Sequence, residues 1–241
     1  MPQVNLTAFT TNTVDYAVGS ISRAGSGIWG SIRTGNISGV ASQTGTTAKR
    51  IGVGFTGGAR GTYQLHRSFM WYDITGYTGI TAAELTIPTI SAGIAVTLPV
   101  IAVDATAYSN NSIDSLGQAE FIDTNFNAYS NATNWSQTTN QQNIVFNAAG
   151  VAALNASGTN FGVAIIDFDF DYQDVNPGGG LGFDAYYYAD CSSSVARSRW
   201  QLILTYTAAG WSTGDMNNVA NSDMGEVNDV PIANISEING I

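Results

Sequence analysis

What most constrains this chain is a recurring pattern: short runs of β-branched and aromatic residues, each closed by a cluster of Gly, Asn, Ser or Thr. Residues 14–18, 27–33, 65–73, 82–90, 94–103, 143–146, 160–170, 181–188 and 200–206 all have this character. Such side chains fit a pleated, half-buried surface and lose rotamer freedom in a helix. Only Lys49 represents lysine, charged residues make up 11%, and there are 27 Gly. Hydrophobic residues stand at 44%, which is enough for a core and too many for a disordered chain. The expected fold class is therefore all-β.

One segment reads as helix. NAAGVAALNASG (147–158) opens on Asn147, a good N-cap, and closes on Gly158, a good terminator. Strands spaced by turn signals around one short helix predict a jelly-roll-like β-sandwich over residues 1–208. Residues 209–241 are expected to be an extended C-terminal arm. Within the sandwich, VASQTGTTAKRIGVGFTGGARGTY (40–63) reads as a loop or irregular edge. A second polar region, 104–142, has Phe121, Phe126 and Trp135 as apolar anchors.

The formal net charge is −10. Non-specific nucleic-acid binding draws on Lys and Arg to release counterions, so no nucleic-acid partner is expected. The bases cluster early, at Arg23, Arg33, Lys49, Arg50, Arg60 and Arg67, while residues 101–241 offer only Arg197 and Arg199. That polarity could orient one subunit against another. The longest apolar stretch, 94–103, is interrupted by Thr97 and Pro99, and no membrane association is expected. MPQVNLTAFTTN has neither the basic nor the apolar region of an export signal, so secretion by that route is not expected.

Few residues suggest chemistry. His66 is the single histidine, in LHRSFMWYD, where the plain reading is an ordinary strand histidine at a sheet face or edge and not the base of a Ser-His-Asp arrangement. Cys191 is the single cysteine, which leaves no internal disulfide framework and no cysteine metal site. In IIDFDFDYQD, strand alternation would set Asp167, Asp169 and Asp171 on one face and Phe168, Phe170 and Tyr172 on the other. The plain reading is a solvated face opposite an aromatic core face. The sharper reading is a calcium site, completed by Asp174 and carbonyls of the following NPGGG loop, because calcium accepts oxygen ligands in flexible geometry. A glycosidase would need two carboxylates across a cleft, which neighbours along one strand do not make. Stacking on a glycan would fall to Tyr186 and Tyr188, on one face of AYYYAD, or to Trp135.

Arg67-Ser-Phe-Met-Trp-Tyr-Asp73 followed by Ile80-Thr-Ala-Ala-Glu-Leu-Thr-Ile87 resembles the middle signature of DNRLRE-type β-sandwich domains, relatives of carbohydrate-binding modules. Phe146-Asn-Ala-Ala-Gly150 through Gly158-Thr-Asn-Phe-Gly162 is similar to that family's helical turn and following strand. Trp200-Gln-Leu-Ile-Leu-Thr-Tyr206 resembles its closing strand, although the family often has Pro where Trp200 stands. The resemblance implies a jelly roll with surface or glycan contact, and brings no catalytic residue with it.

The segment GEVNDVPIANISEINGI (225–241) writes one phrase twice, Glu226-Val-Asn-Asp-Val230 and Glu237-Ile-Asn-Gly-Ile241. Asn-Asp and Asn-Gly favour tight turns, so short extended pieces joined by turns are expected. Val227, Val230, Ile232, Ile235, Ile238 and Ile241 offer apolar surface that so small a unit cannot bury alone. The repeat resembles the short N-G-V/I-type terminal repeats of tailed-bacteriophage structural proteins. That resemblance implies a non-enzymatic virion protein, a capsid decoration, head fibre or tail-fibre component, made in the host cytoplasm and exposed on the particle. Its expected partners are other virion proteins, copies of itself (a trimer, by analogy) and host surface glycans. The alternatives are a secreted or surface carbohydrate-binding module and a jelly-roll polysaccharide hydrolase or lyase.

Overall fold

The computed structural model describes residues 1–7, 18–25, 29–33, 40–43, 49–56, 62–90, 98–105, 126–135, 141–177, 183–189, 200–207, 226–227 and 230–231. Strand formation follows most of the β-rich runs, and every pairing among the described residues is antiparallel. The first layer runs β1 (Gln3–Thr7), β12 (Gln201–Tyr206), β6 (Ile80–Ile90) and β9 (Gln141–Val145). The second is organised around the long strand β5 (Thr62–Asp73). One edge of β5 pairs β2 (Val18–Gly25), which in turn pairs β3 (Val40–Gln43).

Its other edge changes partner partway along. β4 (Lys49–Thr56) pairs Thr62 to His66, and β10 (Asn160–Asp167) pairs Ser68 to Asp73. Beyond β10 come β7 (Leu98–Asp104) and β8 (Thr133–Trp135). Beyond β4 comes β11 (Phe183–Ala189), and β11 meets the end of β6 through Tyr188–Ile90 and Ala189–Thr89, joining the two layers at a corner. The result is an all-β sandwich.

Two apolar clusters hold it. Between the layers, Leu85, Ile87, Ile144, Leu202 and Leu204 face Met70, Tyr72, Val100, Phe161, Val163 and Ile165, with Trp135 and Trp200 filling the same space. The outer face of the second layer is also covered. Leu65, Phe69, Trp71, Ile101, Val103 and Ile166 pack there against Trp29, Ile32 and Phe126. A sheet buried on both sides explains why β5 shows no in–out alternation from Leu65 to Tyr72, where every residue is buried.

The helix expected at 147–158 is α2 (Ala148–Ser157); Asn147 is its N-cap and Gly158, at φ 72°, terminates it. The Asn147 Oδ1 accepts from Gly150 N at 2.9 Å. Further along, Asn155 ties the helix to β6, exchanging two 2.8 Å bonds with the Ile80 backbone. Gly150 lets the helix touch the chain beneath it, because a Cβ there would lie 2.5 Å from Tyr129 O and 2.9 Å from Phe146 Cδ2. Gly150→Ala is therefore expected to destabilise by about 1–3 kcal/mol through overpacking, reversing the ~1 kcal/mol that Ala gains in an open helix. A lowered thermal midpoint checks it; a raised one contradicts the close approach.

Three expectations are corrected. Residues 27–33 read as a strand, yet α1 (Trp29–Arg33) is a helical turn. At helical spacing Trp29, Ile32 and Arg33 share a face, and all three are buried. Residues 40–63 read as a loop or irregular edge, yet they supply β3, which pairs β2 alone among the described strands, the start of β5, and β4, which lies inside the sheet between β11 and β5. Its Gly52 is level with His66 and Tyr186, so the loop-like glycines fall opposite large neighbours. Finally, the run 160–170 does not stay extended, because β10 ends at Asp167. Residues 14–17, 91–97 and Phe121 lie outside the described residues, as does the stretch 209–225.

Candidate functional site

The polar concentration of the described residues lies where β10 leaves the sheet. Its register with β5 pairs Ile165 with Ser68, so two further residues would bring Asp167 level with His66. That place on the edge of β5 is already taken, because Gly52 of β4 pairs His66. The chain turns away and winds Phe168–Tyr172 into a π-helical turn, closed by Gln173 N to Phe168 O at 3.0 Å and Val175 N to Phe170 O at 3.2 Å. Phe168 and Tyr172 stack with centroids 5.7 Å apart. Asp174, at φ 55°, follows the turn, and Asn176 Oδ1 accepts from Tyr63 Oη at 3.1 Å.

This turn decides the fate of the aspartates. The Asp167 Oδ1 accepts from Phe170 N at 2.6 Å and Asp171 N at 3.4 Å, as a cap. Asp171 points at the sheet and meets Arg67 in a two-pronged pair, Nε to Oδ2 and Nη2 to Oδ1, both 2.7 Å, with both side chains fully buried. Planar guanidinium and carboxylate match at this spacing, making each bond charge-assisted. Arg33 reaches the same group from α1, donating Nε to the Asp171 carbonyl at 2.6 Å and lying 3.6 Å from Oδ1. Its Nη1 stands 3.2 Å from Oδ2 of the more exposed Asp174. The Arg67 guanidinium also sits 4.8 Å from the Phe126 ring centroid, a cation–π contact.

The expected aspartate face is thus absent. Asp167 and Asp171 are buried in different roles, Asp169 is exposed, and Asp174 pairs with Arg33. Among the described residues no group of three or more His, Cys, Asp or Glu converges to hold a metal ion, so the four do not form the calcium site that strand alternation offered. Burial, and then the neighbouring Asp171 and Asp169, push the Asp167 carboxyl up to about 7 against the pull of its two backbone bonds.

Trp135 is corrected as a glycan platform. It is wholly buried in the inter-layer core. Tyr186 and Tyr188 lie on β11, opposite Gly52 and Arg50, with their side chains outside the described residues. Val227 and Val230 pair with each other in a separate hairpin, β13 (Glu226–Val227) with β14 (Val230–Pro231). Ile232, Ile235, Ile238 and Ile241 lie outside the described residues, as does Cys191. His66 is buried inside the sandwich. A shallow depression of about 360 Å³ lined by Tyr129, Ala153, Ala156, Ser157 and Asn160 holds no carboxylate or base.

Arg33 and Arg67 are the residues that sequence reading passed over. The available signal was Arg67 itself: a cation inside an otherwise apolar strand requires a buried anion. Chemically the cluster is a clasp, fastening the π-helical turn and α1 onto the outer face of the second layer. Compared with known proteins, the chain matches no protein-family model and no curated sequence.

Proposed function

We propose that the chain is a non-enzymatic structural protein of a bacteriophage particle, with its sandwich displayed outside and residues 209–241 acting as an assembly arm. The observation that carries this reading is the β13–β14 hairpin. Among the described residues it forms its own two-stranded sheet and pairs with no strand of the sandwich. Two residues per strand cannot shelter Val227 and Val230 from water, so the hairpin and the repeated phrase that follows it need a neighbouring surface. Copies of the chain, or another virion protein, would supply that surface. The committed state of the buried acids accords with a scaffold role, since Asp171 is spent on two arginines rather than facing a substrate. Adhesion to host glycans would fall to Tyr186 and Tyr188.

Every strand of the sandwich among the described residues lies within 1–208, so removing residues 209–241 should leave a folded domain. Light scattering after size-exclusion chromatography is expected to show the full chain as an oligomer and the shortened chain as a monomer. Particles assembled with the shortened chain should lack it on immunoblotting. Unchanged oligomerisation and unchanged incorporation would remove the basis for the arm.

A further inference from the structure

Asp167 stands at the junction of an extended strand and the π-helical turn, at φ −63° and ψ 134°, and one of its oxygens accounts for the capping bonds. Its Oδ2 has no hydrogen-bond partner among the described residues, and the side chain is fully buried. An ionised carboxylate there would carry charge with one oxygen lacking a donor, a cost that a neutral carboxyl avoids. We propose that Asp167 is a proton-operated latch: as a neutral carboxyl it holds the turn and α1 against the second layer, and on losing its proton it sets another buried anion beside Asp171 and loosens both.

The surroundings do not offset that charge. On β5, Arg67 is engaged by both oxygens of Asp171. Arg33 of α1 is divided between Asp171 and Asp174. Within the turn, Asp169 and Asp171 are acids that disfavour a further anion, and Tyr172 is stacked on Phe168. Asp104 on β7 pairs Val163, four residues back along β10. The charged positions of β4, Lys49 and Arg50, lie beyond the Gly52–His66 pair, opposite Ala189 and Tyr188. His66 is level with Asp167 in register, and imidazoles ordinarily titrate in the range of interest, so the test must separate the two.

A carboxyl whose folded pKa of about 7 lies above its ordinary 3.8 takes up a proton on folding between those values. Its contribution to stability is complete below the lower value, falls as pH rises toward the upper one, and is level above it. Asp167→Asn keeps a capping oxygen and cannot ionise. Between about pH 5 and pH 8 the folding equilibrium constant of the wild-type protein should drop up to roughly a hundredfold more than that of Asp167→Asn. After correction for the base-catalysed intrinsic rate, amide protection at Phe170 and Asp171 should fall over the same interval in the wild type alone. His66→Gln should keep the wild-type pH dependence. Carbon-detected NMR of the wild-type protein, which decides the matter even if a variant fails to fold, should give the Asp167 carboxyl a midpoint near 7. A midpoint in the ordinary carboxylate range, or equal pH dependence in Asp167→Asn and wild type, overturns the latch.

Discussion

Arg67→Ala and Asp171→Ala are each expected to lower the unfolding free energy by roughly 3–5 kcal/mol, since either leaves a buried charge without its partner. The pair is fully buried and joined by two 2.7 Å bonds, so water cannot replace the missing group without opening the outer face of the second layer. Asp171→Ala also removes the Oδ1 that lies 3.6 Å from Arg33 Nε, while the backbone carbonyl to which Arg33 donates remains. Replacing both partners with apolar residues of similar volume, as in Arg67→Met with Asp171→Leu, should recover much of the loss, because no orphaned charge remains. Urea denaturation with an unchanged slope measures each effect. Single variants that unfold at the wild-type urea concentration would show that the clasp contributes nothing.

Trp135→Ala should be comparably severe, costing about 3–5 kcal/mol, through lost burial and the cavity it leaves between the layers. The indole sits on β8 opposite Leu98 and is wholly enclosed in the main core. Trp135→Phe retains most of the apolar volume and should keep the fold with a smaller loss. A ring serving as an exposed glycan platform would behave in the opposite way, with stability untouched and adhesion abolished. A differential scanning melt of both variants, beside a polysaccharide pull-down, separates these outcomes.

The clasp was half legible. FDFDYQD announces acids among aromatics, and strand alternation assigns them to a solvated face. That assignment failed because the edge of β5 can serve one partner at a time: β4 occupies it up to His66, and β10 must leave at Asp167. Once the chain leaves, a π-helical turn replaces period two, and Asp171 swings onto Arg67. No local pattern in 160–174 contains that competition, since one competitor lies more than a hundred residues earlier. The misreading of 40–63 has a related cause. Gly52 and Gly54 resemble loop punctuation, but they stand opposite His66 and Gln64 of β5.

By itself, the sequence determined the features that neighbours along the chain control. Those are the β-rich runs at 65–73, 82–90, 143–146 and 200–206, and a helix opened by Asn147 and closed by Gly158. Rotamer preference, capping and turn geometry act within a few residues, so they can be read there. Only the tertiary structure decided that α1 is a helical turn, that the second layer is covered on both faces, and that Trp135, Arg67 and Asp171 are interior. Burial and strand pairing depend on which distant segment arrives first at a shared surface, and short-range preferences do not encode that.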